Sequence, residues 1–68
     1  MNANSILLQK KYTRIVALYA EEMKISLDEA LKIFYHSMVY RLVSEGISDM
    51  HCMSDDYIVQ ELIEENKA

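Results

Sequence analysis

Leu8, Tyr12, Ile15, Val16, Tyr19 and Met23 recur along the chain at spacings of three and four residues. At about 100° per residue they fall in one arc about 100° wide, the apolar stripe of a core-facing helix. Gln9, Lys10, Thr13, Arg14, Glu21 and Lys24 lie outside it. The pattern predicts a helix over about residues 5–23. In "MKISLDEALKIF" the pair Ser26 and Glu29 forms S-x-x-E, a capping box in which the hydroxyl accepts from the Glu29 N–H and the carboxylate reaches back. Asp28 and Glu29 suit the positive end of the helix dipole, and Ile25 with Ala30 makes a weak staple. A second helix is therefore expected over about 27–36. Its predicted buried stripe is Leu27, Ala30, Leu31 and Phe34, with Met38 at its edge.

After His36-Ser37 the periodicity changes. "MVYRLV" is apolar on nearly every side, and Val39, Tyr40 and Val43 leave the stripe set by Leu31 and Phe34. Two readings stay open. The helix bends near Ser37 and a short helix follows over 38–45, or one long helix offers its second face to another subunit. Gly46 suits a left-handed position that ends the element. Ser54 then opens a last helix over about 54–65. Asp55 and Asp56 stand in its first turn, Met53 and Ile58 form a staple, and Tyr57, Ile58, Val59, Leu62 and Ile63 make its apolar side. "EENKA" is expected to fray into solvent. The reading is all-α, a compact bundle of three to four short helices (about 5–23, 27–36, 38–45, 54–65), with residues 1–68 as a single domain.

Composition supports this and adds a problem. No proline and one glycine leave almost no internal breakers. Yet 68 residues bury only about 60% of the unfolded surface, and cores of this size supply roughly 3–5 kcal/mol of net stability. The single Cys52 excludes an internal disulfide, and two histidines with one cysteine are a poor zinc set. Apolar residues make up 51% of the chain, including five Tyr and five Met. A protein partner or a homo-oligomer is the expected remaining source of stability.

Charge narrows the partner. The net charge of −4 disfavours nucleic acid, whose non-specific binding runs on Lys and Arg. It divides into six Lys/Arg against four Asp/Glu in residues 1–44, about +2, and one against seven in 45–68, about −6. The plain reading of such a split is solubility; the sharper one is that it steers a partner or pairs protomers head to tail. "MNANSILLQKKY" has too short an apolar stretch for a signal peptide, and no run approaches the roughly 18 residues of a spanning helix. No membrane and a cytoplasmic location are the expectation.

"ISDMHCMSDDY", residues 47–57, gathers the reactive side chains. Adjacent His51 and Cys52 point in different directions, and no second metal-binding spacing completes a tetrahedron. His51, as the immediate neighbour, is a poor base for Cys52, and three nearby aspartates disfavour its thiolate. Asp55 and Asp56 serve the helix dipole and are expected to be solvated. Lys10, Lys11 and Arg14 are expected to form a solvated face. No catalytic, cofactor-binding or metal residue is therefore assigned, and no cofactor is expected. Ser26, Glu29 and Ser54 are the helix caps, while Tyr40, Val43, His51 and Tyr57 are candidate interface or structural residues. His51 is expected half-buried, its ring bonded to backbone carbonyls or capping a helix end.

"ISLDEALKIF", "YRLVSEGISDMH" and "SDDYIVQELIE" together resemble a family of short bacterial proteins catalogued as a domain of unknown function. The matching positions are Ser26, Glu29, Ala30, Phe34, Tyr40, Leu42, Met50-His51, Ser54 and Tyr57-Ile58-Val59, spread over about residues 12–63. The chain departs from the pattern at Gly46-Ile47-Ser48, where the family often carries an aromatic residue. The family has no assigned activity, and its members are often encoded beside a protein resembling an ADP-ribosyltransferase. The resemblance implies an accessory or antitoxin-like partner of a neighbouring gene product. The expected function is a non-enzymatic helical protein–protein interaction module. The alternative is a small nucleic-acid-binding transcriptional regulator, and a Cys52 enzyme ranks third.

Overall fold

The computed structural model describes residues 5–67. Among them the chain forms four α-helices and one 3₁₀ segment, with no strand: α1 (Ser5–Met23), α2 (Leu27–Tyr35), α3 (Met38–Glu45), a 3₁₀ turn (Ile47–Cys52) and α4 (Asp55–Glu65). The fold is the expected all-α bundle. α1 packs against α2 and α4, while α3 packs against α4, α2 and the 3₁₀ turn.

The helix ends explain the breaks. α1 closes at Lys24, whose φ of 58° lies in the left-handed region. The Ile25 N–H donates to the Ala20 carbonyl at 3.0 Å, the six-to-one bond that ends many helices beyond a left-handed residue. Ser26 caps α2, accepting from the Glu29 N–H at 3.1 Å. Ser37 resolves the alternatives left open at that point. Its hydroxyl donates to the Phe34 carbonyl at 2.5 Å and accepts from the Tyr40 N–H at 2.9 Å. One serine thus closes α2 and opens α3, so residues 38–45 form a separate helix. Gly46, at φ 67°, ends α3. Ser54 caps α4 through the Tyr57 N–H at 3.1 Å.

The core takes Tyr12, Ile15, Val16, Tyr19 and Ala20 from α1, with Ala30 and Phe34 from α2. Val39 and Val43 of α3, Met50 of the turn, and Ile58, Val59 and Leu62 of α4 complete it. The predicted α1 stripe holds except at Met23, which is exposed. α2 needs a larger correction: Leu27 and Leu31 are 62% and 44% exposed, and Met38 is 53% exposed. The core face of this nine-residue helix is centred on Ala30, with Phe34 on one side and partly buried Ile33 on the other. Leu31 then lies about 100° from the centre, on the solvent edge.

Candidate interaction surface

The reactive stretch at residues 47–57 does not assemble a site. Cys52 is exposed, and among the described residues no three His, Cys, Asp or Glu side chains come together to hold a metal ion. His51 is half-buried, as the sequence suggests, but its expected hydrogen bond is missing. Its Nδ1 is buried without a hydrogen-bond partner. The ring lies over Gly46, where an added Cβ would sit 3.4 Å from Nδ1. That distance is ordinary van der Waals contact, so the glycine at 46 serves the left-handed turn rather than the seat of the imidazole.

Asp55 corrects a second expectation. Rather than standing solvated, its carboxylate receives Lys11 Nζ at 2.9 Å on one oxygen and Arg14 Nε at 2.6 Å on the other. Lys11 Nζ also donates to the Met53 carbonyl at 2.7 Å. The three groups tie the start of α4 to α1. Partial burial pushes the Asp55 carboxyl upward, but the hydrogen bonds and charges of Arg14 and Lys11 outweigh it and hold the group below its ordinary value. Of the expected solvated basic face, Lys10 and Arg14 remain exposed while Lys11 is drawn in, and two of the three are engaged by Asp55.

Glu65 corrects a third. "EENKA" does not simply fray: the Glu65 carboxylate accepts from the Met38 N–H at 2.8 Å and the Val39 N–H at 3.1 Å. An anion from the end of α4 occupies the positive end of α3 beside the Ser37 cap.

The candidate aromatic residues divide. Tyr40, half-buried, belongs to a cluster with Tyr12, Phe34 and Tyr35 whose ring centroids lie 4.7 to 6.3 Å apart, mostly edge to face. Burial raises the Tyr12 hydroxyl, and Tyr40 and Tyr35 raise it further. It stays protonated near neutrality and is no activated base. Val43 is fully buried, a core residue with no surface to offer. Tyr57 is 45% exposed and available to a partner.

What the surface does carry is apolar area. Ten large hydrophobic residues among those described are at least a third exposed. Two grooves gather part of it. One, about 260 Å³ between α1 and α2, is lined by Thr13, Val16, Ala17, Leu27, Asp28 and Leu31. The other, about 350 Å³ between α3 and α4, is lined by Met38, Val39, Leu42, Glu61, Glu64 and Glu65. Both are open clefts along helix pairs rather than enclosed cavities, which suits a helix face better than a small molecule. Among the described residues no helix is long and apolar enough to cross a membrane. The chain matches no protein-family model, no curated protein and no solved structure.

Proposed function

We propose that this chain is a cytoplasmic, non-enzymatic helical interaction module that binds another protein and self-associates through the groove between α1 and α2. The observation that carries the reading is the exposure of Leu27 and Leu31, an apolar stripe outside a small core. Covering it would offset the shortfall that a 68-residue core leaves. The groove suits a two-fold pairing, in which one patch meets its own copy. Its single lining charge is Asp28, flanked in sequence by exposed Lys24 and Lys32, so like charges need not meet. The sharpest form of the reading is an accessory, antitoxin-like partner of a neighbouring gene product. Nucleic-acid binding has less support, since the chain is acidic overall and Asp55 already engages Lys11 and Arg14 and offsets part of their charge.

Sedimentation equilibrium tests the reading. The wild-type chain is expected to dimerise with concentration. Leu27→Lys with Leu31→Lys is expected to weaken dimerisation at least tenfold while leaving the helical spectrum unchanged. A strict monomer at every concentration that also captures no product of its neighbouring genes would sink the module.

A further inference from the structure

The groove between α3 and α4 differs from its counterpart in charge. Its floor is apolar: Met38 is largely exposed, Leu42 is half-buried, and Val39 closes the base. Its rim is acidic throughout, formed by Glu61, Glu64 and Glu65. On a single helix Glu61 stands three residues from Glu64 and four from Glu65, spacings at which like charges destabilise by a few tenths of a kcal/mol per pair. Internal compensation is small. Glu65 spends both oxygens on the Met38 and Val39 N–H groups. Glu64 has only the exposed Lys67 ammonium at 3.2 Å, a pair of little worth. Glu61 makes no ion pair among the described residues.

A second copy of the chain is a poor source of the missing countercharge, because its exposed Lys24 and Lys32 flank the groove assigned above to self-association. Its own acidic groove would repel this one, and of its basic cluster Lys10, Lys11 and Arg14, two members are held by Asp55. We propose that the α3–α4 groove is a docking site for a basic amphipathic helical segment of a partner protein. Its apolar anchors sit on Met38, Val39 and Leu42, and its lysine or arginine side chains stand against Glu61 and Glu64. Two helices side by side present a furrow that a third helix fills, its anchors recurring every three or four residues. The occupant is a protein segment rather than nucleic acid, because the rim would repel phosphate. The site rests on the interaction-module reading and specifies the chemistry of its heterologous partner.

The test titrates the full chain with a helical peptide of about 18 residues, leucine at spacings of three and four and lysine elsewhere. A second peptide keeps the leucines and replaces every lysine by glutamate. The lysine peptide is expected to bind, and to weaken roughly tenfold as salt rises from about 50 to about 500 mM. Glu61→Gln with Glu64→Gln is expected to weaken it roughly fivefold with an unchanged helical spectrum. Glu65 is left intact because it caps α3. Amide shifts on binding are expected at Met38, Val39, Leu42 and Glu61. Equal binding of the glutamate peptide, indifference to the double substitution, or shifts confined to Thr13, Ala17, Leu27 and Leu31 would each overturn the assignment. A chain that dimerises but ignores the lysine peptide loses this site and keeps the module. A monomer that captures no neighbouring gene product and ignores the peptide loses both.

Discussion

The two grooves are built alike and charged differently. Each lies between two helices, and each has aliphatic side chains that the core does not take. Between α1 and α2 one aspartate interrupts an apolar strip, whereas between α3 and α4 three glutamates line one wall. The first can meet its own image and the second cannot. Shape makes both open clefts, and in the proposed reading charge decides what each one takes.

The comparison depends on both grooves sharing one core, so the largest expected effect comes from removing that core. Phe34, fully buried, packs against Tyr12 and Tyr40, which brings together α1, α2 and α3. Phe34→Ala is expected to cost about 3–5 kcal/mol, comparable to the whole stability of so small a domain. Circular dichroism should show the helical signal largely lost at room temperature. A cooperatively folded variant would mean that the grooves are supported separately.

A smaller change should separate them. Glu65→Ala removes the carboxylate cap of α3 and is expected to cost about 1–2 kcal/mol by urea unfolding. Hydrogen exchange should quicken at the Met38 and Val39 amides and stay unchanged at residues lining the α1–α2 groove. Uniform loss of protection would show that the two halves open together.

The smallest effect probes the link between them. The Asp55 carboxyl is depressed in the folded state by Arg14 and Lys11 despite partial burial, so the folded chain binds its proton less readily than the unfolded chain. The stability this contributes is complete above about pH 4 and is lost as the pH falls through the folded value. Asp55→Asn is expected to cost about 1 kcal/mol near neutrality. The difference between wild type and variant should shrink as the pH drops from about 6 to about 3. A constant difference would assign the effect to packing rather than charge.

Local signals in the sequence carried most of the fold. Ser26 and Ser54 cap helices where their spacing placed them, and the boundaries 5–23 and 38–45 agree with α1 and α3. Periodicity erred by a fraction of a turn in α2, because Leu27, Leu31 and Ile33 are equally apolar and only tertiary packing chooses among them. The contacts that shape the surface were not legible. Lys11 meets Asp55 across 44 residues and Met38 meets Glu65 across 27, and no short motif records such pairs. Lys24 was equally hidden, since a lysine in the left-handed region gives no signal comparable to a glycine. The 3₁₀ turn lacked a signature too, having no side-chain cap.

α4 holds its neighbours by its two ends, Asp55 fastened to α1 and Glu65 to the start of α3. In kinetic terms, these bonds close the widest loops named above, and loop-closure entropy must be met before such contacts return anything. The α2–α3 corner, hinged on Ser37 and on rings at most six residues apart from Phe34 to Tyr40, closes only a short loop. Loop-closure entropy therefore predicts that α4 seats last. The acidic groove has one wall on that helix, so it exists only while the closing step of folding stays closed.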